Sequence, residues 1–251
     1  MILEIDIGNS WAKWRVLDAP LDTNVVMGKT RSAEFPSEEI LSLRNIRRVR
    51  LASVRSGAET TRISQAISSV LGVGVEVAET ARCQAGLTNS YQDPSHMGVD
   101  RWLAMLAAFN RQETGTAKRG CLVVSCGTAV TLDSIRNDGV HEGGYILPGL
   151  FMMREALLSN TGRIQFTPGE FEVSRVLGRS TTEAVEHGAV HAVLSAIEHL
   201  CEERVKQWGS GDVFITGGDA LQLSKQLRVS SAVSIQCVED LVLEGLRFAL
   251  P

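Results

Sequence analysis

Apolar and polar positions alternate from the first residues. Leu3, Ile5 and Ile7 fall on one face of a strand expected over residues 2–6. The pattern breaks at Gly8, Asn9 and Ser10, then resumes over 11–17, where Ala12, Trp14 and Val16 alternate with Lys13 and Arg15. Two alternating runs around a glycine-containing break predict a β-hairpin. The same design returns at 121–125, with a break at Cys126, Gly127 and Thr128 and a second run over 129–135. Asp6 corresponds to Ser125, Gly8 to Gly127 and Asn9 to Thr128, each pair 119 positions apart. An offset near half the length predicts two related halves rather than a short-period array.

Each half continues in strand–helix alternation. In the first, 49–53 reads as a strand, 58–71 as a helix and 75–77 as a strand; in the second, 213–216 is a strand, 219–227 a helix, 233–236 a strand and 238–249 a closing helix. This order predicts mixed sheets with helices packed on them. The longest helix is expected to open with a capping box at Ser180 and Glu183 and to run to Trp208 before Gly209. Its apolar stripe is read as Val185, Ala189, Ala192, Ala196 and Leu200. Residues 161–178 have mixed polarity and read as a loop or flap.

The 251 residues fit two domains or one large one, with 44% apolar and 22% charged residues. Lys plus Arg is 25 against 29 Asp plus Glu, giving a net charge of −4, so no basic surplus points to nucleic acid. The longest uncharged apolar run, 121–132, falls short of the roughly 20 residues that cross a bilayer. Acids at the start stand where a secretory signal has Lys or Arg, so a cytoplasmic protein without membrane association is expected. Cys83, Cys121, Cys126, Cys201 and Cys237 show no paired spacing and read as buried small apolar residues in a reducing compartment.

Asp6, Ile7, Gly8, Asn9 and Ser10 form the first candidate site. A tight turn gathers backbone N–H groups, and Asn9, Ser10 and Lys13 add donors, a concavity suited to phosphate oxygens. Asp6 at the strand end could hold Mg²⁺ through water. One such turn is equally a plain hairpin; a second, Gly127-Thr128, at the matching place suggests two phosphate loops facing each other around ATP. Gly217 and Gly218, between a strand and a helix, serve either close packing or an anionic ligand. Tyr91 and the run Gly98, Val99, Asp100, Arg101, Trp102 form another cluster, on a helix with the stripe Trp102, Met105, Leu106 and Phe109. Asp100 lies in the first turn, as a general base or a helix cap. Arg101 offers a planar fork for a carboxylate. His187 and His191, four apart with Glu198 nearby, have metal-ligand spacing but lie opposite the expected stripe and read as a solvated face. No partner for a nucleophilic Ser125 can be placed.

Together these residues resemble the type III pantothenate kinases, within the acetate kinase/sugar kinase/Hsp70/actin superfamily. The resemblance rests on six blocks in the family's order: 1–10 with Lys13; 98–102; 127–131 with Asp133; 143–149; 180–185; and 216–219. It implies an α/β fold of two ribonuclease H-like (actin-like ATPase) domains, 1–112 and 113–251, with mixed β-sheets flanked by helices and an ATP cleft between them. The implied reaction is ATP-dependent phosphorylation of pantothenate to 4′-phosphopantothenate, the first step of coenzyme A biosynthesis, with Mg²⁺. ATP binding falls to Asp6, Ile7, Gly8, Asn9, Ser10, Trp11, Ala12, Lys13, Thr128, Gly217 and Gly218. Pantothenate falls to Tyr91, Gly98, Val99, Asp100 and Arg101, with Asp100 as base. Thr181 is implied to reach the pocket from the second subunit of a homodimer. The sequence departs from the family at Ser125, where the second phosphate motif usually carries an Asp for an activating K⁺ or NH₄⁺, so a monovalent-cation requirement is not expected. Two alternatives stay open: a kinase for another small hydroxylated substrate, which the 98–102 run argues against, and a non-catalytic regulator, which Ser125 favours and Asp6 and Asp100 oppose.

Overall fold

The computed structural model describes residues 1–18, 23–112, 118–160, 171 and 173–251. The chain divides into two compact units, Met1–Asn110 with Leu241–Pro251, and Arg111–Asp240.

In the first unit, β1 (Ile2–Ile7) and β2 (Trp11–Asp18) form the expected hairpin, in register from Ile2 opposite Leu17 to Ile7 opposite Ala12. The antiparallel strand β3 (Thr23–Arg31) flanks β2. A short helix α1 (Glu38–Leu41) leads to β4 (Arg48–Ser53), which runs parallel to β1. Helix α2 (Gly57–Leu71) then crosses to the parallel edge strand β5 (Val75–Val77), giving the order β3-β2-β1-β4-β5. Ser56 caps α2 by accepting the Glu59 N–H, and Gly72 ends it in a left-handed conformation. A small hairpin, β6 (Cys83–Gln84) and β7 (Leu87–Thr88), precedes α3 (Val99–Arg111).

Leu3, Ile5, Ile7, Ala12, Trp14 and Val16 pack against Ile40 of α1 and Ile63 and Ile67 of α2. The opposite face is not solvated. Glu4 is completely buried, accepting Arg15 Nε at 2.8 Å and Arg50 Nη1 at 3.0 Å. Alternation suggested a strand wetted on one side, but β1 is the central strand and is covered on both. A carboxylate left there needs buried cations, since an unpaired buried charge is far costlier than the pair.

The second unit repeats the plan. Strands β8 (Cys121–Cys126), β9 (Ala129–Ile135) and β10 (His141–Pro148) are antiparallel neighbours. Helix α4 (Leu150–Asn160) and the 28-residue α5 (Thr181–Trp208) follow. Then come β11 (Gly211–Thr216), α6 (Ala220–Ser224) and β12 (Val233–Cys237), in the order β10-β9-β8-β11-β12. The order matches that of the first sheet, as the 119-residue echo predicts.

Four expectations need correction. The closing helix α7 (Leu241–Ala249), expected in the second half, belongs to the first unit, so a division into 1–112 and 113–251 misplaces it. It packs on β1 and β4, and Gly245 lets it approach α3 so closely that a Cβ there would sit 2.2 Å from the Leu103 carbonyl oxygen. Residues 113–117, where the expected boundary falls, lie outside the described residues. Second, α5 buries Ala189, Val190, Val193, Leu194, Ile197, Leu200 and Cys201, whereas Val185 and Ala196 are half-buried and Ala192 is exposed. The branched residues gain more from burial than alanines do, and they set the face. His187 therefore lies buried, its Nδ1 2.7 Å from the Val176 carbonyl oxygen, while His191 stays exposed. Third, α6 ends at Ser224 rather than 227. Fourth, Cys121, Cys126 and Cys201 are buried but Cys83 and Cys237 are exposed. Of the expected 161–178 loop, the described residues (171 and 173–178) form no helix or strand; 161–170 and 172 lie outside the described residues. Among the described residues no helix is long and apolar enough to cross a membrane.

Candidate active site

The two glycine turns occupy equivalent places in the two sheets. In the first unit Gly8 N–H closes the turn on the Trp11 carbonyl at 3.0 Å; in the second Gly127 N–H does so on the Ala129 carbonyl at 3.1 Å, across a loop one residue shorter. Asp6 lies near the end of β1, in register with Lys13. Asn9 and Ser10 are exposed at the tip. Lys29 and Arg31 of β3 lie over the Trp11 ring, 4.3 and 4.1 Å from its centroid. Ile7 and Ala12, the outer pair of the hairpin, are buried and act as its anchors rather than as exposed contacts.

Around the second turn, glycine serves close packing. Gly149 N–H donates to the Thr128 carbonyl at 2.9 Å, and a Cβ at Gly149 would fall 2.1 Å from the Gly127 carbonyl oxygen. Gly217, at φ +100°, leaves no space: a Cβ would fall 2.3 Å from the Cys126 carbonyl oxygen. That oxygen also accepts the Asp219 N–H at 3.1 Å. Gly218 has open space where its side chain would be, so the two glycines differ in what they do. Burial raises the Asp219 carboxyl above its usual range and pushes the Cys126 thiol up to about 12.

The residues expected to bind the acceptor gather at the start of α3. The Gly98 carbonyl accepts the Trp102 N–H at 3.2 Å, and Val99 begins the helix. Asp100, half-buried in the first turn, accepts the Arg101 N–H on Oδ1 at 2.9 Å. A Cβ on Gly98 would sit 2.5 Å from that Oδ1, so the glycine gives the carboxylate its place. Arg101 is buried and donates Nη1 to the Tyr91 hydroxyl at 2.9 Å. The structure thus brings Tyr91, Gly98, Asp100 and Arg101 together. Two residues missed in the sequence hold the segment before α3. Asn89 Oδ1 accepts the Tyr91 N–H at 3.0 Å, and Arg82 donates to the carbonyls of Asn89, Tyr91 and Gln92. The Asn-x-Tyr spacing is an Asx-turn signal that could have found Asn89; nothing local points to Arg82. Thr181 is the exposed first residue of α5, in the second unit.

The profile of the type III pantothenate kinase family matches residues 2–203. The chain belongs to the type III pantothenate kinases. A type III pantothenate kinase from Pseudomonas putida (strain W619) is 41% identical over 257 residues, covering 100% of this chain and 99% of its own. Among solved structures, a Campylobacter jejuni protein described as a candidate Baf family transcriptional activator aligns with a TM-score of 0.58 at 21% identity, covering 98% of this chain and 95% of that one. A Sinorhizobium meliloti protein described as a candidate 2-dehydro-3-deoxygalactonokinase aligns at 0.55 and 13%, covering 99% and 98%. At such identities the structural likeness speaks for the fold alone: two mixed sheets flanked by helices.

For this type III pantothenate kinase chain, the donors beside the first turn fit Mg²⁺. Mg²⁺ takes one or two carboxylates plus phosphates and keeps several waters. The single carboxylate of Asp6 beside the first turn fits that, and among the described residues no group of three His, Cys, Asp or Glu gathers into a denser cage. Ser125, half-buried on β8 opposite Thr131, presents a neutral hydroxyl where the resemblance implies a carboxylate. Asp133, opposite Val123, is buried and its Oδ1 lies 3.0 Å from His141 Nε2. Its charge is directed at the histidine, so it is a poor replacement for an acid at position 125.

Proposed function

We propose that this chain transfers the γ-phosphoryl group of ATP to the primary hydroxyl of pantothenate, releasing ADP and 4′-phosphopantothenate, in the cytoplasm, as the entry to coenzyme A synthesis. The observation that carries the reading is the cluster at the start of α3. A carboxylate and a buried guanidinium occupy successive positions there, the second bonded to a tyrosine hydroxyl.

Phosphoryl transfer depends mainly on positioning and charge neutralisation. As the pantothenate hydroxyl oxygen bonds to the γ-phosphorus and the bond to the β-phosphate oxygen breaks, Asp100 accepts the hydroxyl proton. Arg101, set by Tyr91, orients the acceptor, and Gly98 and Val99 leave its approach open. The Asp6 to Lys13 turn holds phosphate oxygens through N–H groups and Lys13, and Thr128, Gly217 and Gly218 are assigned to the same nucleotide. Mg²⁺, when bound, neutralises phosphate charge; Asp6 would hold it through water. The chain is proposed to act as a homodimer, with Thr181 completing the partner's pantothenate pocket. In support, Tyr145, Ile146, Phe151 and Met152 are exposed apolar residues of the second unit.

ADP release measured with and without pantothenate tests the reading. Pantothenate-dependent release is expected, and Asp100→Asn should lower kcat by about 10²–10⁴ while ADP affinity holds. Nucleotide binding without pantothenate-dependent release would refute catalysis and favour the regulatory reading.

A further inference from the structure

The turn between β1 and β2 is held from outside by side chains that no pattern in the sequence singles out. Ser32, just beyond β3, donates its hydroxyl to the Gly8 carbonyl at 2.9 Å and its backbone N–H to the Ser10 carbonyl at 3.1 Å. Arg55, two residues beyond β4, donates Nη2 to the Asn9 carbonyl at 3.0 Å. The Trp11 carbonyl accepts the Gly8 N–H. Every carbonyl from Gly8 to Trp11 is therefore bonded to the protein, through groups on both sides of the hairpin.

The consequence follows from peptide geometry. A trans peptide holds its C=O and the next residue's N–H antiparallel in one plane. Bonding the carbonyls of Gly8, Asn9 and Ser10 thus fixes the directions of the N–H groups of Asn9, Ser10 and Trp11. Those are the groups a phosphate loop presents to its ligand. The two clamps are themselves set. Ser32 is buried. The Arg55 N–H donates to Ser53 Oγ at 3.2 Å, and that oxygen is 2.9 Å from Thr60 Oγ1 in the first turns of α2.

The geometry points to Ser32 and Arg55 as positioning residues for the nucleotide: they preset the peptide planes of the phosphate loop, so that ATP meets a formed site. The inference rests on the proposed assignment of this turn to phosphate. A preformed loop raises affinity by removing the ordering cost from the binding step. A single hydrogen bond contributes enough to change affinity about three- to tenfold when lost. The effect belongs to nucleotide binding, because neither residue is near α3 in the chain and neither bonds to it.

The test is calorimetric titration of the full chain with ADP, without acceptor, for the wild type, Ser32→Ala, Ser32→Thr and Arg55→Ala, with thermal melts to establish folding. Ser32→Ala and Arg55→Ala should each weaken ADP binding about three- to tenfold. They should raise KM for ATP by the same factor, with kcat and KM for pantothenate unchanged, and Ser32→Thr should retain wild-type affinity. The Arg55→Ala deficit should persist at about 1 M salt, where charges are screened beyond about 3 Å. Folded variants that bind ADP as the wild type does would overturn the inference, as would equal rises in KM for both substrates. So would an Arg55→Ala deficit that vanishes at high salt, which would make Arg55 a surface charge only. A wild-type chain that binds no ADP would instead refute the nucleotide assignment itself.

Discussion

One hydroxyl changes the electrostatics of the second turn. With Ser125 in place of a carboxylate, one negative charge is missing beside Gly127 and Thr128. A unit-charge contact at 4 Å is worth about 4 kcal/mol at an effective dielectric of 20, and a quarter of that already weakens a monovalent cation several-fold. Asp133 lies on the neighbouring strand, but its buried pairing with His141 directs its charge elsewhere. Activity in Na⁺ is therefore expected to equal that in K⁺, and KCl should not raise the melting temperature. Ser125→Asp should gain both responses. Strong K⁺ activation of the unmodified chain would overturn this. At the same scale, Asp100 and Arg101 were legible because their meaning is local, a first helical turn after Gly98. Arg82 was not, because the carbonyls it bonds lie seven to ten residues further along the chain, beyond the β6–β7 hairpin; Asn89 carried only the Asn-x-Tyr turn spacing. Glu4 was legible as a strand residue but not as a buried acid, since its two arginines arrive from β2 and β4.

Among the elements, the glycine turns and the long helix show how packing refines a pattern. Gly217 and Gly218 look alike in sequence, yet only Gly217 combines a left-handed φ with contact against the Cys126 backbone. Gly217→Ala should cost about 3 kcal/mol, from overpacking and backbone strain together. Gly218→Ala should stay within about 0.5 kcal/mol. Chemical denaturation of the two variants checks the difference, and equal midpoints would mean that the contact relaxes at no cost. In α5 the capping pattern located the start well, and Ser180 Oγ accepts the Glu183 N–H at 3.2 Å. The Glu183 carboxylate reaches the Arg179 N–H at 2.6 Å, one residue earlier than a standard box. The stripe was misread because alanines at helical spacing mimic an apolar face; the larger Val190, Val193, Leu194 and Ile197 claim the core.

For the whole molecule, the return of α7 to the first unit makes that unit depend on the last residues of the chain. Leu241, Leu243 and Leu246 are buried there. At about 1.5–3 kcal/mol for each buried leucine, their loss rivals the roughly 5–15 kcal/mol stability of a typical domain. A chain ending at Asp240 should therefore lose amide-exchange protection in β1 and β4 while β8 and β11 stay protected; native protection in β1 would refute this. The proposed homodimer predicts a sedimenting mass twice the 27.2 kDa of one chain, and a fully active monomer would remove Thr181 from the partner's pocket. By itself the sequence determined the two hairpins, their repetition, the strand–helix order, the start of α3 with Asp100 and the family, because each is written in local periodicity, turn chemistry or contiguous motifs. Only the tertiary structure decided which unit owns α7, which side of α5 is buried, that Glu4 lies between two arginines, and that Ser32 and Arg55 hold the first turn. Those depend on contacts between residues far apart in the chain, and such contacts leave no mark on any single stretch of it.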